Sequence, residues 1–237
     1  PGDTFGYSVA ISGDTVGGGA VWDENSIGSA YVFVRSGVTW SQQDHFFSIG
    51  AAAGDHFGSS VAIDGDTIVV GADNDNTAAG VNAGSAFVFT RSGVTWSQQD
   101  QLLADDAVAG DWLGGAAAID SDTIVVGAAR DGSGAGSAYV FTRTAGVWSQ
   151  QDHLFAEGLM AGDNFGNSVA ISGEAIAVGA VYDETAAGID AGSAYIFGPP
   201  FRIFVAEPEL LSAHSLGRAK DPFSLLSRNV DLKWGLD

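Results

Sequence analysis

The residues with the greatest potential for chemistry in this sequence are its aspartates, which supply 23 of the 29 acidic residues. Eight of them fall into two sets of four, and the members of each set have the same sequence context. Each aspartate of the first set directly follows a glycine, and each aspartate of the second set lies three residues after a Gly-Ala pair. The first set is Asp3, Asp55, Asp111 and Asp163, and the second is Asp23, Asp75, Asp131 and Asp183. A ring of carboxylates suits a hard cation or a polar ligand, but an aspartate in a turn also caps backbone N–H groups. Both interpretations are open, and the second set is our candidate ligand-binding group.

Other catalytic chemistry has little support. His45 and His153 hold equivalent positions after the motif SQQD, where a catalytic or metal-binding histidine would not be expected to recur, so we interpret both as surface strand residues. There is no nucleophile-elbow serine, no phosphate-binding glycine loop, no histidine pair at zinc spacing and no cysteine. We therefore expect no enzyme activity, no catalytic residue, no metal site and no cofactor. The recurring tryptophans, Trp40, Trp96 and Trp148, fit packing between repeats better than stacking on a sugar.

These residues recur because the sequence contains four copies of one unit, at spacings of 52, 56 and 52 residues. The copies occupy residues 2–53, 54–109, 110–161 and 162–197. Each copy has the pattern of four strands, which we call A to D. In strand A of the second copy, the side chains of Phe57, Ser59, Val61 and Ile63 should share one face of the strand. The opposite face carries only small residues. Such a unit, repeated near fifty residues, predicts an all-β protein of propeller-type blades, each a four-stranded antiparallel sheet.

The last copy and the loops depart from strict repetition. The fourth copy ends at Phe197 without the Trp-SQQD strand, and residues 198–237 form a non-repeat tail. Two interpretations are open here: either 201–206 serves as the substitute outer strand, or the tail leaves the fold at once. The loop between strands B and C contains 7, 11, 7 and 11 residues in successive copies. Variation confined to one loop is typical of a surface that faces a partner.

The net charge of the chain limits the kinds of molecule that it can bind. The net charge is −20, and residues 1–197 hold 24 acids against four arginines and no lysine. In an up-and-down blade the A–B turns share one end with the C–D arginines, so that end is partly neutralised. The opposite end, formed by the B–C and D–A loops, should be acidic. So acidic a surface repels nucleic-acid phosphates and anionic lipid, and no apolar run approaches the ~18 residues of a membrane span. We expect a protein or glycan partner, no nucleic acid and no membrane insertion.

The motifs GDxFGxSVAI and TIVVGA, repeated through residues 2–197, resemble the FG-GAP repeat of integrin α-subunit propellers and of many bacterial secreted proteins. The resemblance implies a seven-bladed, non-catalytic, partner-binding propeller at the cell surface, with partner-binding loops on the B–C and D–A face. Calcium-binding members carry an Asp-rich loop between strands A and B. Here that turn is only SGDT, DGDT, DSDT or SGEA, too short to surround Ca²⁺ with six to eight oxygens. The chain therefore looks like the calcium-free bacterial variant.

The leading functional hypothesis is a non-catalytic extracellular or cell-surface recognition and adhesion module that presents its B–C and D–A loops to a protein or glycan. The alternatives are a structural spacer within a larger secreted surface protein and the accessory propeller of a hydrolase. Four blades are fewer than the ring that the resemblance implies, so this is a partial or fragmentary propeller. Either the full-length protein carries further propeller repeats, or these four close tightly.

Overall fold

The computed structural model describes residues 2–50, 52–198 and 202–206 of the chain, the last segment as backbone only. Its strands are β1 (Phe5–Ser12), β2 (Thr15–Ala20), β3 (Ser29–Ser36), β4 (Thr39–Phe46), β5 (Phe57–Asp64), β6 (Thr67–Ala72), β7 (Ser85–Ser92), β8 (Thr95–Leu102), β9 (Leu113–Asp120), β10 (Thr123–Ala128), β11 (Ser137–Thr144), β12 (Val147–Leu154), β13 (Phe165–Ser172), β14 (Ala175–Ala180), β15 (Ser193–Gly198) and β16 (Arg202–Ala206). Two short helical segments, α1 (Asp23–Ser26) and α2 (Asp131–Gly134), follow β2 and β10.

The strands form four separate antiparallel sheets, each made of four strands that are consecutive in the chain. We number these sheets blade 1 (β1–β4) to blade 4 (β13–β16), and they confirm the predicted all-β blade architecture. The inner strands contact one another in the order β1, β5, β9, β13, so the blades stack in chain order.

The outer strand of blade 4 comes from the start of the tail. β16 pairs antiparallel with β15, with Ala206 opposite Ala194 and Arg202 opposite Gly198. Residue 201 and residues 207–237 lie outside the described residues, and so does the prediction that the rest of the tail departs from the repeat.

A bulge breaks the simple alternation predicted for strand A. In blade 2, Phe57 is opposite Ala72 but Val61 is opposite Val70, so β5 carries two extra residues between these pairs. The prediction that Ser59 shares a face with Phe57 is therefore wrong. The Ser59 hydroxyl instead points to the following blade and donates to the Gly114 carbonyl at 3.2 Å. Because the bulge adds two residues, it changes the alternation only within the bulge, and Val61 and Ile63 lie again on the side of Phe57.

The glycine of each Gly-Ala motif allows the next blade to approach closely. A Cβ atom on Gly71 would lie 1.9 Å from the Gly114 carbonyl oxygen, and one on Gly127 would lie 1.9 Å from the Gly166 oxygen. No side chain fits there, because real Cβ contacts of that length do not occur. The glycine that precedes strand C also forms a parallel bridge with the next blade, as in Gly84 with Leu113.

The hydrophobic core lies between the blades. Buried residues of blade 1 meet a larger apolar set from blade 2, and the same arrangement recurs between blades 2 and 3 and between blades 3 and 4. The tryptophan of strand D takes part, as the sequence predicted. Trp96 packs beside Phe46 of blade 1 at 5.9 Å between ring centroids, and its indole N–H donates to Gln43 of that blade at 2.8 Å. Trp148 donates to Gln99 of blade 2 at 3.1 Å.

Ion pairs partly neutralise the A–B end of the blades, as predicted. Asp66 accepts from Arg91 at 2.6 Å, and Asp122 accepts from Arg143 at 2.7 Å. The Arg91 guanidinium also reaches the Thr15 hydroxyl of the preceding blade at 3.1 Å. Each arginine therefore joins its own turn to the neighbouring blade.

The opposite end carries two kinds of B–C loop, which alternate. In blades 1 and 3 the loop is a tight turn built on α1 or α2, with left-handed backbone at Glu24 and Asn25 (φ of 48° and 63°). In blades 2 and 4 the four extra residues form a small hairpin, closed by the bridges Thr77–Gly80 and Thr185–Gly188.

Candidate functional site

The four candidate aspartates occupy one equivalent position, at the start of each B–C loop. The backbone carbonyl of each accepts a hydrogen bond from the N–H of the glycine that begins strand C, as in Asp75 with Gly84 at 3.0 Å. The corresponding bonds in the other blades are Gly28 to Asp23, Gly136 to Asp131 and Gly192 to Asp183. Each loop is thus closed at its base, so the four carboxylates are held at fixed positions on one end of the stacked blades.

The carboxylates themselves accept hydrogen bonds from strand C. Asp23 accepts from the Ser29 hydroxyl at 2.6 Å and from the Tyr31 hydroxyl at 3.2 Å. The Ser29 hydrogen bond is the main reason that the pKa of Asp23 lies below its usual range. Asp131 makes the matching bonds to Ser137 and Tyr139. These contacts show that the aspartates at least stabilise their own loops.

Asp183 is the most enclosed of the four. It is buried, and the Tyr195 hydroxyl donates to its carboxylate at 2.6 Å. Burial, followed by this hydrogen bond, raises the pKa of Tyr195 above its usual range. Such a tyrosine remains protonated and acts only as a hydrogen-bond donor at neutral pH.

The two recurring histidines lie beside these aspartates and are half-buried, so the interpretation as plain surface residues needs correction. His45 stacks on Tyr31 at 4.1 Å between ring centroids, and its Nε2 lies 3.8 Å from the Asp23 carboxylate. Burial lowers the pKa of His45, which keeps the ring neutral. His153 repeats this stacking arrangement on Tyr139. The cross-strand register causes the contact, because it places strand D opposite the aromatic residue of strand C.

Blade 2 differs because Gln101 stands where blades 1 and 3 have histidine. Its side-chain amide donates to the Asp75 carboxylate at 3.0 Å, while Ser85 donates to the same oxygen at 2.6 Å. Beside them lies an open pocket of about 340 Å³ between the D–A loop of blade 1 and the B–C loop of blade 2. Its lining includes Ser48, Ile49, Asp75, Asn76, Gln101 and Leu103. Asp75 therefore lines a cavity.

The sequence pattern identified Asp75 as a candidate, but it did not identify the other residues that line this pocket. The available signal was the departure of Gln101 from the histidine of the other repeats, together with the longer loop. Ser48 and Ile49 come from the preceding blade, so only the stacking of blades brings them to Asp75.

The Gly-Asp aspartates of the D–A loops serve as turn caps. Asp55, Asp111 and Asp163 are buried, and each carboxylate accepts from the backbone N–H three residues earlier, at 2.5 to 2.6 Å. Burial raises the pKa of Asp55 and of Asp111. These residues hold the loop that enters strand A and do not face solvent as a ligand ring.

Stability should depend on the ionisation of Asp111. Because its folded pKa lies above that of the unfolded chain, protonation favours folding, and this stabilisation is lost as the pH rises through the folded pKa. Asp111→Asn mimics the protonated form and can still accept from Val108. We therefore expect this variant to melt at a higher temperature than the parent near pH 7 and to lose that advantage near pH 4.

Thermal melts at the two pH values test this expectation. Glu174→Gln, which removes an exposed charge in the A–B turn of blade 4, controls for the change in net charge. If Asp111→Asn is equally destabilised at both pH values, its carboxylate acts only as a hydrogen-bond acceptor in the turn.

In the part of the chain that the structure describes, no group of three or more histidine, cysteine, aspartate or glutamate side chains is placed to hold a metal ion. Within the same residues, none of the helical segments has the length and apolar character needed to cross a bilayer.

Comparison with known proteins places this geometry in a family. The family model described as "FG-GAP repeat" matches residues 1–33, 40–89, 96–141 and 148–197. No curated protein matches the chain. Two solved structures of propeller proteins are similar in fold at low identity. Sqt1 of Saccharomyces cerevisiae is 12% identical in sequence, with a TM-score of 0.51. The match covers 88% of this chain and 50% of the Sqt1 chain. TolB from Acinetobacter baumannii is 14% identical, with a TM-score of 0.49, and the match covers 85% of this chain and 43% of the TolB chain.

The chain thus spans about half the length of the propellers it matches. The family match, in contrast, extends over all four blades, and the structure explains its residues. The phenylalanine, or Leu113 in blade 3, fills the core between blades in blades 2 to 4, and the following glycine has positive φ in all four blades. The glycine of Gly-Ala contacts the next blade in blades 1 to 3. The chain belongs to the FG-GAP repeat family.

Proposed function

We propose that this protein is a non-catalytic recognition module, exposed outside the cell, which binds a glycan or protein through the B–C and D–A loop face. The fold supports a binding or structural module. The observation that favours binding is the pocket of about 340 Å³ beside Asp75, since concave sites with a few converging polar groups are where ligands bind.

The chemistry of this pocket favours a glycan over a flat protein surface. Asp75, Asn76 and Gln101 offer carboxylate and amide groups that exchange hydrogen bonds with sugar hydroxyls. Ile49 and Leu103, which are 80% and 40% exposed, flank these groups with apolar surface suited to the C–H face of a sugar ring. The excess of acidic groups on this face disfavours anionic sugars.

The test is a glycan array probed with the full chain, Asp75→Asn and Asp122→Asn. We expect Asp75→Asn to lower any specific signal at least about 10-fold, the effect of losing one hydrogen bond to a charged group. Asp122→Asn makes the same substitution at the opposite end and should bind like the parent. A signal that is equal in all three proteins would place binding elsewhere.

The second candidate function is a structural spacer. It is favoured by the hydrogen bonds that each of the four candidate aspartates accepts from strand C of its own blade. An empty array would favour this alternative or a protein partner. Pull-down of purified extracellular proteins by the parent, but not by Asp75→Asn, would then distinguish the protein partner from the spacer.

A further inference from the structure

Arg130 differs from the other arginines of the repeats in its position and in its contacts. Of the four arginines in residues 1–197, three lie at the A–B end, and each forms an ion pair with an aspartate there; they are Arg35, Arg91 and Arg143. Arg130 lies at the opposite end, directly before α2 in the B–C loop of blade 3, and it is exposed. Within the described residues, no carboxylate forms an ion pair with its guanidinium.

The paired arginines show what a guanidinium held on a tryptophan binds in this fold. The Cζ atom of Arg91 lies 5.0 Å from the ring centroid of Trp96. Its Nε and Nη2 atoms both reach Oδ1 of Asp66, at 2.7 and 2.6 Å. The Cζ atom of Arg130 lies 4.5 Å from the ring centroid of Trp112, so the same stacked arrangement recurs there without the carboxylate.

The fold does not require an arginine at this position. The equivalent residues of blades 1, 2 and 4 are Trp22, Asn74 and Tyr182. In all four blades the backbone N–H of this residue donates to the carbonyl of the Gly-Asp aspartate of the same blade, at 3.2 to 3.3 Å. Because four unlike side chains accompany the same backbone contact, the Arg130 guanidinium is not needed to build the loop.

Trp112 fixes the orientation of the guanidinium. Its backbone has a φ of 60°, which is uncommon for a bulky side chain. Its N–H donates to the Asn82 carbonyl of blade 2 at 3.3 Å, so two blades hold the residue that carries the ring. Blade 3 lies between blades 2 and 4, and Arg130 is still exposed there. The stacked guanidinium is therefore accessible and already oriented, which lowers the entropic cost of binding a partner.

The surroundings of Arg130 indicate the chemistry of that partner. The Asp131 carboxylate accepts from the Ser137 hydroxyl at 2.5 Å, and the Asp111 carboxylate accepts from the Val108 N–H at 2.6 Å. These negative charges attract a positively charged partner, whereas a guanidinium forms its strongest hydrogen bonds with a carboxylate. A basic protein segment that carries one acidic side chain satisfies both requirements.

We propose that Arg130, stacked on Trp112, binds a carboxylate of a basic protein partner and so fixes where that partner docks on the B–C and D–A loop face. The contact rests on the proposed recognition function, to which it adds a protein-binding position in blade 3 that is separate from the pocket at Asp75. An acidic glycan would bring carboxylates without compensating positive charge, and the net charge of −20 disfavours such a ligand.

Two fluorescently labelled synthetic peptides test the proposal by fluorescence polarisation with the full chain, in about 0.05 M salt. One alternates lysine and glycine around a single central aspartate, and the other has asparagine in place of that aspartate. The acidic face alone favours the asparagine peptide, because this peptide has the larger positive charge. We expect the opposite order, with the aspartate peptide bound at least about 5-fold more tightly, since hydrogen bonds between two charged groups are the stronger ones.

Variants of the stacked pair assign this preference to Arg130. Arg130→Gln should reverse the order of the two peptides, and Arg130→Lys, which keeps the charge but not the planar fork, should retain only part of the preference. Trp112→Gly suits the φ of 60° and removes the ring, so it should also reduce the preference. Arg35→Gln removes the same charge at the A–B end and should keep the order of the parent.

Three results would overturn the proposal. They are a parent chain that binds the asparagine peptide at least as well as the aspartate peptide, a parent chain that binds neither, and an Arg130→Gln variant with the order of the parent. Loss of both peptides by Arg130→Gln would indicate misfolding, and Arg130→Lys would then decide the question. If a uronic-acid tetrasaccharide displaces the aspartate peptide from the parent, the ligand is an acidic glycan and the protein partner is wrong.

The glycan array and the peptide assay fail independently, because they use different residues and different probes. An empty array together with the expected order of the peptides would remove the glycan from the proposed function and leave the contact at Arg130 in place. A specific glycan signal that depends on Asp75, together with the reverse order of the peptides, would do the opposite.

Discussion

Replacing Gly127 with alanine should lower the free energy of unfolding by about 3 kcal/mol, the upper part of the usual cost of overpacking. The added Cβ would lie 1.9 Å from the Gly166 carbonyl oxygen and 2.9 Å from its carbonyl carbon. Both are backbone atoms of β13, so no side-chain rotation relieves the clash. The fourth blade must move away from the third, which opens the apolar core between them.

Gly179→Ala is the matched control, since Gly179 holds the same motif position in blade 4. Its added Cβ would meet only the Ser168 side chain closely, at 2.4 Å from Oγ, and that hydroxyl can rotate. Both substitutions should be compared by urea denaturation of the otherwise unchanged chain. Equal losses for the two variants would show that the glycine serves its own blade and not the contact between blades.

Phe57→Ala should cost 3 to 5 kcal/mol, about the effect of deleting a large buried aromatic side chain. Phe57 is fully buried, and its ring contacts Phe87 and Phe89 at 5.5 and 6.0 Å between centroids. It lies in the cluster that joins blade 1 to blade 2. Its removal leaves a cavity where two blades meet, so the stability of both should fall together.

Phe5→Ala removes the same motif residue from blade 1, where it is 58% exposed. We expect a loss of no more than about 1 kcal/mol, since little cavity forms at an exposed position. Chemical denaturation of the two variants provides the measurement. A large loss for Phe5→Ala would mean that the residue acts within its own blade, through its edge-to-face contact with Tyr31 at 5.2 Å.

The aspartates have a different structural role at each of three places in a blade. At the A–B end they pair with arginines, and in the D–A loops they cap buried turns. In the B–C loops they fasten strand C, and beside Asp75 that arrangement borders a pocket. The charge on one face is therefore largely a result of turn chemistry, and the binding site that we propose lies beside Asp75 in blade 2.

Much of this architecture was predictable from the sequence. The period of the repeat, the strand patterns and the Gly-rich turns predicted four-stranded blades, because each is a local property of consecutive residues. The positions of Asp23, Asp75, Asp131 and Asp183 at one end also followed, since strand direction decides which loops lie together.

Contacts between strands and between blades decided the rest. Alternation placed Ser59 beside Phe57, but a bulge turned its hydroxyl to the Gly114 carbonyl of the next blade. The histidines that were interpreted as surface strand residues stack on tyrosines of the neighbouring strand. The pocket at Asp75 is completed by Ser48 and Ile49 of the preceding blade. In each case the partner lies on another strand or in another blade, so pattern and spacing determined the blade, whereas only packing determined what each side chain contacts.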